Sequence, residues 1–273
     1  AREYKNANSL PDGPVLVVGS GQSGCQIAED LFFEKRKVHL SVGSAPRSPR
    51  RYRGRDVVDW LDRMGYYSMP IGEHDDPKSV RNKTNHYLTG RDNGREIDLR
   101  KRAKEGMSLH GRLKDLTVDS IQFSNDLSKN LDGADSVYCR IRNSIDEWIS
   151  KNNIDAPKEE KYSPCWEPTE DVKGTKISCK KLAVVIWCTG YKSDFSWVDI
   201  SVFDGTGFPI HERGVTQSPR LYFLGLPWLY TWGSGRFCGV KDDANFLADI
   251  ISLRSNKSAA AKEMLECKAL LGS

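Results

Sequence analysis

A glycine-rich segment directly follows a short apolar run near the start of the chain. The run is Val15–Val18, and the segment after it reads GSGQSG, with Gly19, Gly21 and Gly24 in the spacing GxGxxG. The first glycine permits a tight turn, the second lets the backbone approach a pyrophosphate, and the third lets a helix pack closely on the strand. The N–H groups and the positive dipole end of that helix then face the phosphates. The alternative interpretation is a glycine-rich turn without a ligand. The candidate dinucleotide-binding residues are Gly19, Ser20, Gly21, Gln22, Ser23 and Gly24.

The end of the next predicted strand bears on which dinucleotide is bound. Folds that prefer NAD place Asp or Glu there for the ribose 2′-hydroxyl, whereas residues 41–44 read SVGS. Arginines follow instead, and a guanidinium pairs well with a 2′-phosphate. NADP, as NADPH, is therefore the predicted cofactor, with Arg47 as the first candidate for the phosphate and Arg50 and Arg51 beside it. The alternative is a solvated basic loop.

Composition excludes several classes of protein. A net charge of +4 on 273 residues is too small to indicate nucleic acid and fits a small anionic ligand equally well. No run approaches the roughly 20 apolar residues of a membrane span, and the first residues lack the apolar core of a signal peptide. The seven cysteines include no CxxC pair, which argues against a disulfide scaffold and a metal site. Reduced thiols are typical of a cytoplasmic protein, which is the location we expect.

The elements that must position these residues form an α/β pattern. Val15–Val18, a helix over Ser23–Glu34 and a strand over Val38–Val42 make one βαβ unit, which predicts a parallel sheet and a Rossmann-like fold. Residues 70–96 are polar and predict a long surface loop. The remaining predicted elements are helices over Val57–Met64, Ser136–Asn152 and Lys241–Leu253, paired short strands within Leu113–Phe123, and strands over Leu182–Trp187 and Leu221–Leu224.

Several segments together resemble the flavin-dependent monooxygenase superfamily. They read GSGQSG, PRRYRGRDVVDWL, TNHYLTGRDNGREIDLR, WCTGY and FLGLPWLYTWGSGRF. The chain looks most like bacterial flavoprotein oxidoreductases related to class B flavoprotein monooxygenases, over most of Gly13–Ile251. In that superfamily one dinucleotide fold binds FAD, a second binds NADPH, and NADPH gives a hydride to FAD.

The resemblance implies roles for further residues. GSGQSG looks like the second, NADPH-binding motif, and Arg47 with its neighbours would meet the 2′-phosphate. Thr189 and Gly190 match the family's crossing motif, with Cys188 in the place of Ala. The region of Gly233, Ser234 and Asp243 would approach the flavin. No catalytic residue is assigned. From the residues alone, WCTGY is also compatible with a simple strand-to-turn junction, and the aromatic loop before Asp243 with core filling.

The resemblance also predicts a division into domains. Residues 1–12 would be a linker, 13–181 an NADPH-binding Rossmann-like domain with a loop and helical insertion, 182–254 the C-terminal portion of an FAD-binding domain, and 255–273 a terminal helix or tail. No GxGxxG precedes Gly19, so the family's N-terminal FAD-binding half is expected to be missing from this sequence.

The expected partners follow from that division. We expect a small-molecule substrate, together with either a second copy of the chain in a homo-oligomer or a complementing FAD-binding segment. We expect no binding to nucleic acid or to a membrane. The alternative function is a non-catalytic nucleotide-binding module without flavin activity. A disulfide reductase of related fold is disfavoured because no CxxC occurs.

Overall fold

The computed structural model describes residues 1–82, 85–169 and 175–271, with the side chains of 82 and 257–271 left out. Among these residues, 1–60 and 85–192 form a first compact unit, and 61–82 and 193–271 form a second. The described strands are β1 Val15–Val18, β2 Val38–Ser41, β3 Arg51–Tyr52, β4 Arg55–Asp56, β5 Ser108–His110, β6 Leu113–Leu116, β7 Ser120–Phe123, β8 Lys176–Ser178 and β9 Val184–Trp187. The described helical elements are α1 Gln22–Phe33, α2 Val57–Arg63, α3 Pro77–Asn82, α4 Arg91–Gly94, α5 Leu99–Lys104, α6 Leu127–Lys151 and α7 Val240–Leu271. α4 is a single turn in which Asp92 and Asn93 have positive φ values.

A four-stranded parallel sheet organises the first unit, with the strand order β5–β2–β1–β9. Val15 of β1 is in register with Val38 of β2 on one side and with Val184 of β9 on the other. All four residues of β1 are buried, as expected for a strand covered on both faces. The α/β, Rossmann-like fold class predicted from the sequence is confirmed by this sheet and its flanking helices.

The two faces of the sheet are covered by different elements. Val15 and Val17 point to the side of α1, where they join Ala28 and Leu31 in one core cluster. Leu16 and Val18 alternate to the other face and pack with Ile121 and Phe123 of β7. That strand belongs to an antiparallel sheet of order β6–β7–β8. Both faces of β1 are therefore closed, and its carboxyl end is left to form a site.

The structure divides the chain differently from the predicted domains. β9 pairs with β1, so the segment expected to start an FAD-binding portion at residue 182 belongs to the first unit, which extends to Lys192. The expected linker over residues 1–12 also belongs to this unit, because Ala7 is buried in its core. Residues 61–82, expected within the NADPH-binding domain, belong to the second unit.

Three local predictions also differ from the structure. Leu221–Leu224 is not a strand, since Tyr222 makes only an isolated bridge with Val215. Helix α6 begins at Leu127 rather than Ser136, because its first turns bury Leu127 and Leu131 in the core. The described part of 70–96 is not simply a surface loop, because it contains α3 and the buried side chain of Tyr87.

The second unit has its own small core. Val202, Phe223 and Leu229 form a buried cluster, with Phe195 and Phe203 packed against it. The predicted helix from Lys241 is present as α7. Among the residues that the structure describes, no helix is both long enough and apolar enough to cross a membrane.

Candidate nucleotide-binding site

A cleft of about 990 Å³ lies at the carboxyl ends of β1, β2 and β9 in the first unit. Ligands of parallel α/β sheets bind at this end, because strand ends and helix N-termini meet there. The lining brings together most of the predicted motif, the end of β2 and the WCTGY segment. The lining residues are Ala1, Arg2, Val18, Gly19, Ser20, Gly21, Gln22, Ser23, Ser41, Gly43, Ser44, Ala45, Asn85, Arg112, Leu113, Trp187, Cys188, Thr189, Gly190 and Tyr191.

Gly19 and Gly24 form a tightly packed floor of the cleft. Gly19 has φ +103°, and a Cβ at this position would lie 2.5 Å from the backbone oxygen of Cys188. A Cβ on Gly24 would lie 1.8 Å from the oxygen of Gly19. No side chain is tolerated at such distances, so both positions require glycine. These are the roles that the GxGxxG spacing predicts for its first and third glycines.

Gly21 differs from the other two glycines because the space beside it is open. A Cβ at Gly21 would meet nothing within 4 Å. The residue is the N-cap of α1 and makes no side-chain capping bond, and Cys25 donates its N–H to the Gly21 oxygen at 3.0 Å. The N–H groups before Cys25 have no acceptor within the helix. The N-terminus of α1 therefore presents amide donors to the cleft beside an unobstructed position.

The polar side chains of the motif hold the turn in place. The Ser20 hydroxyl is buried and accepts the N–H of Gly43 at 2.9 Å, which joins the turn to the end of β2. The Gln22 amide accepts the N–H of Leu88 at 2.9 Å and donates to the oxygen of the same residue. Ser23 is exposed in the cleft. Ser20 and Gln22 thus have structural partners within the chain, whereas Ser23 presents its side chain to the cleft.

Arg47 lies outside the residues that line the cleft and is 2% exposed. Its guanidinium forms ion pairs of 2.6 Å with Glu96, 2.8 Å with Asp135 and 3.4 Å with Asp98. It also lies over the ring of Tyr138, 4.1 Å from the centroid. Burial lowers the pKa of Arg47, but the neighbouring carboxylates outweigh it and the net shift is upward. This placement does not support the predicted contact with a 2′-phosphate, because carboxylates already compensate the charge.

Arg50 and Arg51 also bind within the chain. Arg50 pairs with Asp56 at 2.7 Å. The Arg51 guanidinium donates to the backbone oxygen of Asn93 at 2.9 Å. Neither arginine is among the residues that line the cleft. All three predicted phosphate ligands therefore lie outside the cleft, although they follow β2 closely in sequence.

Two arginines that the sequence interpretation missed do line the cleft, Arg2 and Arg112. Arg112 comes two residues after the end of β5, the strand beside β2. The sequence contained a signal for it, because a polar residue just after a parallel strand faces the ligand edge of the sheet. Because β5 has only three residues, its apolar pattern is too short to predict a strand, and the position of Arg112 could not be inferred.

Two histidines, the half-buried His39 of β2 and the buried His110 of β5, lie on neighbouring strands of this sheet. His39 Nδ1 and His110 Nε2 are 3.0 Å apart, and the His110 ring stacks on Phe123 with centroids 4.4 Å apart. Burial, with a smaller contribution from His39, lowers the pKa of His110 to about 4. Burial and the charge of Lys37 lower the pKa of His39. Both imidazoles are therefore neutral near pH 7.

Thr189 and Gly190 line the cleft after β9, and their contact with a cofactor, which the resemblance implies, stays a prediction. Both are exposed, and Gly190 has φ +92°, a conformation that favours glycine. Cys188, which precedes them, donates its N–H to the oxygen of Val18 at 2.8 Å. The sheet therefore continues up to the residue before this pair.

Gly233, Ser234 and Asp243 belong to the second unit. The Ser234 hydroxyl accepts the N–H groups of Tyr230 and Thr231 at 3.0 and 2.9 Å. Asp243 is buried, and one carboxylate oxygen pairs with Arg213 at 3.0 Å while the other has no hydrogen-bond partner among the described residues. Their predicted contacts with FAD stay predictions.

No family model matches the chain, but comparison with known proteins finds relatives. A protein named uncharacterized oxidoreductase CzcO-like, from Geobacillus kaustophilus (strain HTA426), is 31% identical over 251 residues, which are 91% of this chain and 55% of the relative. A protein named uncharacterized oxidoreductase CzcO, from Bacillus subtilis (strain 168), is 26% identical over 246 residues, or 90% of this chain and 54% of the relative. This chain therefore has homologues that are named oxidoreductases. It spans about half the length of the curated relatives it matches.

Proposed function

We propose that the chain binds NADPH in the cleft at the N-terminus of α1 and is the NADPH-binding part of an FAD-dependent, monooxygenase-like oxidoreductase. The observation that carries the proposal is the open position at Gly21, where free amide donors face a cleft at the carboxyl edge of a parallel sheet. A pyrophosphate needs close approach to the backbone and several N–H donors, and this geometry offers both.

The charge of the cleft supports NADPH rather than NADH. The described residues that line it include two arginines, Arg2 and Arg112, and no Asp or Glu. After β2 the lining consists of Gly43, Ser44 and Ala45, so no carboxylate is placed to accept the ribose 2′-hydroxyl of NADH. A carboxylate there would also repel the additional phosphate of NADPH. The lining therefore suits the more highly charged dinucleotide.

The oxidoreductase part of the proposal is supported by the names of the homologues. When bound, NADPH supplies a hydride to FAD. Within this chain, the donors of α1 would bind the pyrophosphate, and the segment from Trp187 to Gly190 would bound the cleft on the β9 side. Because this chain spans only about half the length of these relatives, we propose that a complementing FAD-binding segment or a second copy of the chain completes the flavin site, with Gly233, Ser234 and Asp243 contributing.

The reaction completed in this way would act on a small-molecule substrate in the cytoplasm. Reduced thiols and the mild net charge support that setting. The other candidate function is a nucleotide-binding module without flavin chemistry, which the same cleft would also serve.

The test is an equilibrium titration of the purified chain with NADPH, followed by fluorescence. We expect Gly21→Ala to weaken NADPH binding about tenfold or more, because the new methyl group displaces the pyrophosphate from the backbone. The free energy of unfolding should change by less than about 0.5 kcal/mol, since φ is −73° and nothing lies within 4 Å. Gly133→Ala is the matched control, because that glycine lies in α6, outside the cleft, with equally open surroundings.

Two results would change the proposal. If the native chain does not bind NADPH, or if both alanine variants bind it equally well, the cleft is not the nucleotide site. The visible absorbance of the chain with added FAD then separates the two candidate functions. Stable flavin binding, in this chain or after addition of an FAD-binding segment, supports the oxidoreductase, and its absence in both cases supports the non-catalytic module.

A further inference from the structure

The backbone around Arg112 is fixed on both sides of the residue. Its N–H donates to Asp126 at 2.9 Å, and its oxygen accepts the N–H of Ser124 at 2.8 Å. The hydroxyl of Ser41, the last residue of β2, donates to the oxygen of Gly111 and accepts the N–H of Leu113, both at 3.0 Å. Arg112 is therefore attached directly to the end of β2 and does not depend on a flexible loop.

The register of the sheet places Arg112 beside the expected ribose. His110 of β5 pairs with Ser41 of β2, so Arg112 and Gly43 each come two residues beyond that pair. In a Rossmann-like sheet the pyrophosphate lies at the turn after the first strand, and the adenosine ribose lies at the end of the second. With the order β5–β2–β1–β9, the edge beyond the ribose belongs to β5. Arg112 follows that strand.

The guanidinium of Arg112 is available to a ligand. Its side chain is 52% exposed, and its ion pair with Asp126 is long, with Nε 3.8 Å from Oδ2. Arg2, the other arginine of the cleft, lies towards β9, because the neighbouring Ala1 donates its amine to the oxygen of Trp187 at 3.0 Å. Arg2 therefore follows a residue that is attached beside β9, whereas Arg112 follows β5 on the adenosine side of β1.

We propose that Arg112 binds the 2′-phosphate of NADPH and is the residue that makes the cleft prefer NADPH to NADH. The inference rests on the proposed function of the cleft and assigns to Arg112 the role that sequence spacing gave to Arg47. A guanidinium forms paired, charge-assisted hydrogen bonds with a phosphate, whereas NADH offers only a hydroxyl at the same position. The preference therefore depends on one side chain outside the glycine motif.

The experiment measures the affinities of the full chain for NADPH and for NADH. We expect Arg112→Gln to weaken NADPH binding about 10- to 100-fold, the usual loss for hydrogen bonds to a charged group, and to leave NADH binding unchanged. Arg112→Lys keeps the charge without the paired donors and should fall between the native chain and the glutamine variant. The loss should also shrink as ionic strength rises.

Two control variants separate this role from general charge effects. Arg2→Gln removes the same charge from the β9 side of the cleft, and Arg51→Gln removes it outside the cleft. Both should keep the ratio of the NADPH and NADH affinities. An unchanged ratio in Arg112→Gln, or a larger loss in Arg2→Gln, would overturn the assignment of Arg112 while leaving the cleft as the nucleotide site. If the native chain binds neither dinucleotide, the proposed function and this inference fail together.

Discussion

The cluster around Arg47 and the cleft at the N-terminus of α1 are both rich in polar groups, but they differ in where those groups find partners. In the cluster, the guanidinium of Arg47 is enclosed by Glu96, Asp98 and Asp135 and by a tyrosine ring. In the cleft, the first N–H groups of α1 have no acceptor within the helix, and Arg112 has only a long ion pair of 3.8 Å with Asp126. One region is compensated within the chain, and the other is open to a ligand.

The difference shows that a basic residue near a nucleotide motif is informative only when its counter-charges are known. Arg47 follows β2 by six residues and Arg112 follows it by more than seventy, yet Arg112 is the one that lines the cleft. Burying a charge without a partner is costly, so an enclosed arginine must be paired inside the protein. The Arg47 cluster is therefore charge-compensated within the first unit, and the cleft is where ligand binding is to be sought.

The largest effect that we expect on stability is from Arg47→Ala. The change leaves Glu96 and Asp98 without this cation and Asp135 with Arg100 alone, and it should lower the free energy of unfolding by about 3 kcal/mol. Urea unfolding at neutral pH measures the loss. Arg51→Ala is the control, because its guanidinium makes a single bond to a backbone oxygen at an exposed position, and it should cost less than about 0.5 kcal/mol.

The comparison breaks if Arg47→Ala folds as stably as the native chain but binds NADPH weakly. Arg47 would then contact NADPH in solution, and its ion pairs with Glu96, Asp98 and Asp135 would not persist there. A destabilised variant whose folded fraction still binds NADPH with native affinity is the result that the structure predicts.

Gly24→Ala tests whether the packing at Gly24 excludes a side chain, in contrast to the open space beside Gly21. The new Cβ would stand 1.8 Å from the oxygen of Gly19, so the turn or α1 must shift. We expect the free energy of unfolding to fall by about 2 kcal/mol, within the range for overpacked sites, together with a loss of nucleotide affinity. Gly21→Ala, three residues earlier, should lose affinity alone. Equal unfolding free energies for these two variants would contradict the packing described for the motif.

A smaller effect is expected from pH, through the buried His110 of β5. The pKa of His110 is about 4 in the folded protein, against 6.5 as its ordinary value. Between these values the unfolded chain binds more protons, so this histidine makes stability fall as the pH is lowered from 6.5 towards 4. Comparison of pH 7 with pH 5 should show about 1 to 2 kcal/mol of loss from this group.

The control for the pH effect is His110→Gln, which cannot titrate. The variant should show a shallower dependence of unfolding free energy on pH over the same interval, while carboxylate contributions remain in both proteins. Parallel pH profiles for the two proteins would mean that His110 is protonated as easily in the folded state as in the unfolded chain.

Elements that depend on neighbouring residues were predicted well from the sequence. β1 was predicted with its observed bounds, and α1 and β2 to within one residue at either end, because an apolar run and a helical spacing of apolar residues are local patterns. Leu221–Leu224 has the same apolar character as β1 but forms no strand, because a strand needs a partner along its whole length and this segment makes only the bridge from Tyr222 to Val215. The sequence pattern carried no information about that partner.

The sequence by itself determined the glycine motif after β1, since the backbone contact that requires Gly24 lies within one strand, turn and helix. The contact that requires Gly19 is with Cys188 and depends on the pairing of β9 with β1. Tertiary structure alone decided which arginine faces that motif. Glu96 and Asp135, which neutralise Arg47, lie 49 and 88 residues away along the chain, and Arg112 reaches the cleft only because β5 pairs with β2. Electrostatic compensation acts through space, so spacing along the chain could not distinguish a buried ion pair from a ligand contact.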